Sequence, residues 1–454
     1  MQATRLSTLD ASFLEVETPT AHMHVGWASL FDAPEGRARP TFGELLDHVA
    51  SRLGRAPRYR QRLATVPLGA ADPVWIDDER FDVERHVRRA ETDDFDSLID
   101  EVMSRQLDRA RPLWEVWIAD RLADGRVGVV GKAHHCMVDG LAAVELATLL
   151  LDPTPEPEPP ESDGWRPHQA PGHFELLTDG IASRARDVLG LVTLPARLAT
   201  HPRRALRTPV LAVEAIRAVS LSARPAGRSR FTRPGSSLRH LARHARPLED
   251  FRTIKRAFDM TVNDVLLAAV AGGARAYQLE HRDDPQPLKT MVPVSLREPD
   301  GEGSLGNRIS FVFIELPCDE PDPVRRLADI ASAMGRAKDA GAPEGAGALL
   351  DAFGYAPRTV QHLVSRALAS PRTFDLVVSN IPGPAERLWM RGCELKEAYP
   401  VVPAAERHSL SVGLTTVGET GFLGFYADRD ALPDAERFRE LVAAEFDTLL
   451  AHAA

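Results

Sequence analysis

The chain runs to 454 residues, about three times the scale of one average domain, so two domains or one large composite are expected. With 44% apolar and 26% charged residues it has the make-up of a folded globular protein, which excludes a wholly disordered chain. Its formal net charge of −10 excludes a uniformly basic nucleic-acid binder.

The N-terminus, Met1 to Glu15, lacks the apolar core of a signal peptide and carries an acid as early as Asp10. Up to residue 150, strand-like and helix-like patterns alternate. Val127-Gly-Val-Val-Gly131 reads as a short buried strand leading straight into Lys132-Ala-His134-His135. From Leu141 to Leu151 strong helix formers share an apolar face, so the local order is strand, turn, helix. Asp152 then opens a stretch of five prolines alternating with acids, Pro153 to Pro160. Such a stretch holds neither a helix nor a central strand, and it marks an extended linker and a domain boundary.

Beyond the linker, Phe174, Leu177, Ile181, Ala185, Val188 and Val192 recur at helical spacing, and Val210, Val213, Ile216 and Val219 outline a second amphipathic piece. Between Arg184 and Arg246 stand fourteen arginines, no lysine and two acids, so this window carries +12 and the remainder −22. Asn263 to Tyr277 reads as a buried helix. Its Val265–Ala274 run of ten uncharged residues is well short of the ~18 that would span a bilayer. Strands are expected at Met291–Leu296, Arg308–Pro317 and Phe374–Asn380, and a hairpin joins Ser409–Val417 to Phe422–Ala427. Cys136, Cys318 and Cys393 are too far apart for a metal knuckle or a disulfide framework, which suits a reducing cytosol.

The sharpest feature is His134-His135-Cys136-Met137-Val138-Asp139-Gly140, an HHxxxDG string at a strand end. A histidine fixed at such a boundary presents one ring nitrogen to a cleft, and its ordinary pKa of about 6.5 suits removal of a proton from a hydroxyl. Gly140 permits a tight turn or close ligand approach. Taken alone, the string also fits two satisfied histidines beside an Asx-type turn. A metal site would need further ligands at suitable spacing, and none follows. A Cys136 nucleophile would need its sulfur and a base to converge, yet neighbours on a strand point to opposite faces.

Several other motifs stand in a fixed order around this string. They are the segment Leu6 to Glu15 (LSTLDASFLE), Met23-His-Val-Gly26, Pro112-Leu113-Trp114, Asn263-Asp264, Val292-Pro-Val-Ser-Leu-Arg297, Gly306-Asn307-Arg308 and Ser379-Asn380-Ile-Pro382-Gly383-Pro384. With them, nearly the whole chain resembles the bacterial bifunctional wax ester synthase/acyl-CoA:diacylglycerol acyltransferases. These belong to the superfamily of CoA-dependent acyltransferases and peptide-synthetase condensation domains. One stretch departs from the family: an LNGPIG-like run before the Asn-Asp motif is replaced by Arg230-Phe-Thr-Arg-Pro-Gly-Ser-Ser-Leu-Arg239.

The resemblance implies an α/β fold of two chloramphenicol-acetyltransferase-like domains with the active site at their interface. On this reading residues 1–151 form the N-terminal acyltransferase domain, 152–172 the Pro/acid-rich linker, 173–246 an Arg-rich amphipathic helical segment and 247–454 the C-terminal domain. His135 matches the family's general base, and His134 is positional. Asp139 pairs structurally with Arg297. Asn263 is the oxyanion candidate, with helix N-capping as its alternative; Asp264 is structural. Gly140, Trp114, Ser379 and Asn380 are expected at the substrate channel, with core packing as the alternative for Trp114 and a plain turn for Ser379 and Asn380. Glu15 matches the N-terminal motif without an assigned role.

The implied reaction moves a long-chain acyl group from acyl-CoA, a co-substrate, to diacylglycerol or a fatty alcohol, with no metal or redox cofactor. The competing readings are a condensation-like or polyketide-associated acyltransferase fed by a carrier protein, and a catalytically silent lipid-binding relative. The Arg-rich segment is expected to dock on an anionic membrane or lipid-droplet surface, placing a cytoplasmic enzyme at the inner face of the membrane. Its alternatives are contact with the CoA phosphates and simple packing on the body. Nucleic acid is not expected as a partner.

Overall fold

The computed structural model describes residues 3–34, 36–137, 150–156, 164–183, 185, 229–295, 309–339, 365–366, 369–384 and 386–453. The expectations for residues 141–149, most of the Arg-rich window, Arg297 and Gly306–Arg308 fall outside these residues.

Strands β1 (Thr4–Arg5), β3 (Gln61–Ala64) and β4 (Val74–Asp77) form a small sheet with β4 in the middle. The first large sheet contains β2 (His24–Asp32), β5 (Val87–Arg89), β6 (Trp114–Ala119), β7 (Val127–His134), β12 (Trp389–Met390) and β13 (Cys393–Val401). Their order is β12-β13-β2-β7-β6-β5. The second large sheet contains β8 (Arg239–Pro247), β9 (Leu288–Ser295), β10 (Ile309–Leu316), β11 (Leu376–Asn380), β14 (Leu410–Val417) and β15 (Thr420–Asp428). Its order is β10-β9-β11-β14-β15-β8. Helices α1 (Thr8–Val16), α2 (Phe42–Arg52) and α3 (Phe95–Ser104) belong to the first half. The second half holds α4 (Leu248–Phe258), α5 (Val262–Glu280), α6 (Pro323–Asp339) and α7 (Ala435–Ala453).

β7 is buried at all eight positions because both its faces are covered. Val127, Val129 and Ala133 share a core with Leu45 and Val49 of α2, while Val130 shares one with Phe95, Leu98 and Ile99 of α3. In the second half, α5 carries the uninterrupted buried run Val265–Ala274. Its Gly272 and Gly273 lie against Glu445 and Val442 of α7, so close that a Cβ on Gly273 would meet the Val442 backbone at 2.9 Å.

The chain does not divide where the composition suggests. The C-terminal part of the expected helical segment is strand β8, which pairs with β15 and closes the second sheet. Arg239, Leu241, Ala242 and Arg246 are buried, and the backbone is taken up by pairing with β15 along its whole length rather than by helical bonds. Conversely β13, from the expected C-terminal domain, pairs with β2 and completes the first sheet. A linear boundary at residue 247 therefore does not hold. Among the described residues of the amphipathic segment, 173–183 are helical. The linker also starts anchored: buried Asp152 accepts from Arg52 Nη2 at 2.6 Å, and its N–H donates to the Trp389 carbonyl.

The two sheets meet in a shared core of Leu30, Phe95, Leu98 and Val130 with Leu241, Tyr399, Val401, Phe422 and Tyr426. The approach there is close enough to demand glycine. A Cβ on Gly424 would lie 2.1 Å from the Pro400 carbonyl oxygen. Polar contacts set the register: Arg243 Nε donates to Asp96, the Leu241 N–H to Asp100, and the Arg239 N–H to Ser104 Oγ at 2.8 Å. These acceptors stand four residues apart on one face of α3.

Candidate active site

The HHxxxDG string begins where β7 leaves the sheet. His134 is the last strand residue, directly opposite His24 of β2. Its N–H donates to the Leu113 carbonyl, and its Nδ1 accepts from the Cys136 N–H at 3.1 Å. Because Nδ1 is an acceptor, the proton sits on Nε2. That nitrogen points at the Glu17 carboxylate, 3.5 Å away, and both side chains are about 2% exposed or less.

Glu17 follows directly on α1 and is held from three sides. Gln106 Nε2 donates to Oε1 at 2.7 Å, Arg109 Nε donates to Oε2 at 2.7 Å, and His134 completes the set. Burial alone would raise this carboxyl, but the bonds from His134, Gln106 and Arg109 outweigh it and bring it down to about 2. Glu17 is therefore a permanent anion behind the turn.

His135 leaves the sheet. Its N–H donates to the carbonyl of Met23, which has a left-handed backbone at φ 49°, and its ring stacks on Phe13 of α1 at 3.7 Å. His135 is half-buried with its Nδ1 out of reach of solvent, and desolvation lowers the imidazole to about 4. At neutral pH His135 is thus a neutral base with a free lone pair. Neighbouring Cys136 is buried, which pushes its thiol well above the ordinary range and leaves no thiolate to act as nucleophile.

Lys132, two residues before His134 on the same face of β7, is fully buried. Its Nζ donates to the carbonyls of Val102 at 2.7 Å and Arg105 at 2.5 Å, at the C-terminal end of α3. The following Leu107 N–H donates to His24 Nε2 at 3.4 Å.

Trp114 is not at a channel. It is fully buried, stacked on His86 at 4.8 Å, and its Nε1 donates to the Tyr59 carbonyl at 2.8 Å. It pairs with Ala133, so its side chain lies on the face of the sheet opposite His134. The indole needed one hydrogen-bond acceptor inside a core, and Tyr59 supplies it.

Asn263 does not cap its helix. Thr261 is the N-cap of α5, in a capping box where Thr261 Oγ1 accepts from the Asp264 N–H and the Asp264 carboxylate accepts from the Thr261 N–H at 2.9 Å. Asp264 is structural, and Asn263 is left half-buried in the first turn with its amide uncommitted among the described residues. Ser379 and Asn380 end β11, beside Gly413 and Leu414 of β14. Ser379 shares its face with Val377, which packs on Val402 just beyond β13, so Ser379 looks toward the first half of the molecule. The turn after it is tight: a Cβ on Gly383 would lie 1.8 Å from the Thr416 carbonyl oxygen. No hydrogen bond joins Asn263, Ser379 or Asn380 to either histidine among the described residues. Asp139, Gly140 and Arg297 lie outside those residues.

Sequence reasoning named Glu15 in the first motif; the residue that reaches the histidines is Glu17. Gln106, Arg109, Lys132 and His24 were also missed. His24 stood in the Met23–Gly26 motif without an assigned role, and Lys132 carried a signal of its own, a charged residue inside an otherwise apolar strand. Among the described residues no group of three or more His, Cys, Asp or Glu side chains could hold a metal ion.

Residues 6–266 match the wax ester synthase/diacylglycerol acyltransferase catalytic domain, and residues 305–450 match the C-terminal domain of the same proteins. A Mycobacterium tuberculosis protein named "probable diacylglycerol O-acyltransferase" is 32% identical over 440 residues, covering 95% of this chain and 92% of its own. The solved wax ester synthase/diacylglycerol acyltransferase of Marinobacter aquaeolei VT8 superposes with a TM-score of 0.71 at 26% identity, covering 99% of both chains. The trichothecene 15-O-acetyltransferase of Fusarium sporotrichioides shares the fold at a TM-score of 0.63 and 13% identity. The chain thus belongs to the wax ester synthase/diacylglycerol acyltransferase family, on a two-domain α/β fold of the chloramphenicol-acetyltransferase type.

Proposed function

We propose that this protein transfers a long-chain acyl group from acyl-CoA to the free hydroxyl of diacylglycerol, giving triacylglycerol and CoA, and that fatty alcohols serve as second acceptors. The observation that carries the reading is His135, neutral, stacked on Phe13 and backed by the His134–Glu17 pair, in a chain that matches the family across both its halves.

His135 takes the proton of the acceptor hydroxyl as that oxygen attacks the thioester carbonyl carbon. The new C–O bond forms, the C–S bond breaks, and the CoA sulfur leaves with the proton that His135 returns. No acyl-enzyme is needed, and the protonated, buried Cys136 offers no nucleophile for one. The Asn263 amide is assigned to the oxyanion, Ser379 and Asn380 to the channel wall, and Asp139 with Arg297 to a structural ion pair holding the motif loop; Gly140 gives the loop its close turn. No metal or redox group takes part in this scheme.

Diacylglycerol resides in membranes, and no single helix among the described residues is long and apolar enough to cross one. Surface docking fits the outer face of helix 173–183, where Phe174 is 78% and Ile181 56% exposed, next to the Arg-rich window that would meet anionic headgroups. These features support a place at the cytoplasmic face of the membrane or on lipid droplets.

The test is CoA release from palmitoyl-CoA with diacylglycerol, fatty-alcohol and carrier-bound comparison reactions, for wild type and His135→Ala. Triacylglycerol formation lost in the variant supports the reading. Unchanged turnover in His135→Ala, or binding of lipid without CoA release in wild type, rejects it.

A further inference from the structure

We propose that Lys132 is a positioning residue for the acyl transfer: by clamping the C-terminal end of α3 it sets the Gln106–Arg109 segment, and through Glu17 the orientation of His134 and of the turn that carries His135. The inference rests on the acyl-transfer reading above.

A lysine with no exposed surface is expensive to bury, so its ammonium must be repaid by close acceptors. Here the repayment comes mainly from two carbonyls, Val102 and Arg105, with the Glu115 carboxylate farther off at 3.8 Å. The last carbonyls of a helix carry its negative end, so a cation there is doubly favoured. Directly after the clamp, Leu107 donates to His24, and Gln106 and Arg109 hold both oxygens of Glu17. Glu17 faces the His134 Nε2–H, and the other nitrogen of that ring accepts the Cys136 N–H that shapes the turn around His135. The side chains of Lys132, Glu17 and His134 are buried, Gln106 and Arg109 reach Glu17 from the surface, and Lys132 and His134 stand on one strand and one face.

Five other charged or titratable groups face Lys132: Glu115 on β6, Arg88 on β5, Arg105 after α3, and His22 and His24 at the start of β2. Burial lowers the ammonium to about 8, with Arg105 and Arg88 adding to the effect and Glu115 opposing it. Loss of the proton turns two charge-assisted bonds into weaker neutral ones. The clamp then loosens in a pH range where His135 is unchanged. The sign for stability is opposite. Between about 8 and the ordinary lysine value of about 10.4, the unfolded chain holds a proton that the folded chain lacks, so this group favours folding more as pH rises.

The test uses the full chain, palmitoyl-CoA and dioleoylglycerol, with kcat, KM and Tm followed from neutral pH to about 10. Wild-type kcat, measured well below Tm so that the chain stays folded at every pH, should fall through about 8. Lys132→Met should lower kcat about tenfold or more, leave KM within about twofold, and lose the alkaline fall. Histidine NMR gives a readout independent of turnover: the His134 ring signal should move in Lys132→Met and, in wild type, across the same pH step. A wild-type kcat that stays flat across this range in the folded chain overturns the proposal even if the variant fails to fold. So does a folded Lys132→Met enzyme with unchanged kcat, or a His134 signal that does not move. A wild type inactive toward every acceptor would defeat the acyl-transfer reading instead, and the His134 signal would then decide the role of Lys132.

Discussion

The Glu17 carboxylate stands 3.5 Å from His134 Nε2, and this pair, rather than any contact to His135, fixes the first half of the HHxxxDG turn. An anion behind the first histidine locks its tautomer and leaves Nδ1 free to shape the turn on which the second histidine sits.

Glu17→Gln keeps the size but removes the charge. Arg109 then loses its anionic partner, and stability should drop by about 1–3 kcal/mol in urea unfolding. Turnover should fall more than binding does, because the misplaced group is the turn beneath His135. A variant with unchanged kcat and lowered affinity would show that Glu17 serves substrate binding instead. In acid, the depressed carboxyl makes its stabilising contribution above its ordinary value near 4.5 and loses it only as pH falls toward about 2.

His135 is desolvated, so the acid limb of kcat/KM should lie near 4 rather than at the ordinary histidine value of about 6.5. His135→Ala should cost roughly 10²–10⁴ in kcat. A limb centred at the ordinary value would mean that substrate-free geometry misstates the enclosure of the ring.

Asn263 and Thr261 separate chemistry from capping within the first turn of one helix. Thr261→Ala should cost ~1 kcal/mol of stability and leave kcat close to wild type. Asn263→Ala should leave stability nearly unchanged and lower kcat by about 10²–10³ if its amide serves the oxyanion. Steady-state rates and denaturant midpoints on both variants check the pair together.

His240 bridges the two halves of the molecule. Its Nδ1 lies 2.8 Å from Asp100 of α3, and its Nε2 lies 3.2 Å from Glu436 of α7, which Arg439 also holds. Two carboxylates on opposite nitrogens call for the imidazolium, and the hydrogen bonds it donates to Asp100 and then Glu436 raise its pKa against the cost of burial. The stabilisation is fully present below the ordinary histidine value and is lost as pH rises through the elevated one. Thermal melts should therefore show a loss of stability as pH rises past the ordinary histidine value that His240→Gln abolishes.

The elements that were legible in the sequence are those whose cause is local. The apolar strand ending at His134, the buried helix beginning near Asn263, the strand before Ser379 and the hairpin through Gly418 each follow from a short pattern, and the structure has them at Val127–His134, Val262–Glu280, Leu376–Asn380 and Leu410–Asp428. Arg239–Pro247 was misjudged because a run of arginines tells nothing of which strand will pair with it; its partner β15 lies far along the chain. Trp114 was placed at the channel because a motif was visible and the His86 ring that covers it was not.

A length of 454 residues and a charge of −10 pointed to two domains' worth of folded chain and away from a uniformly basic nucleic-acid binder. The ordered motifs by themselves established the family, since spacing along the chain carries that information. Only the tertiary structure decided that strand β13 of the second half completes the first sheet, that Glu17 rather than Glu15 stands behind His134, and that a lysine inside β7 is tied to the end of α3. The reason is separation: Glu17 and Arg109 are 92 residues apart, and what joins them is a buried carboxylate that needs a cation reaching in from the surface.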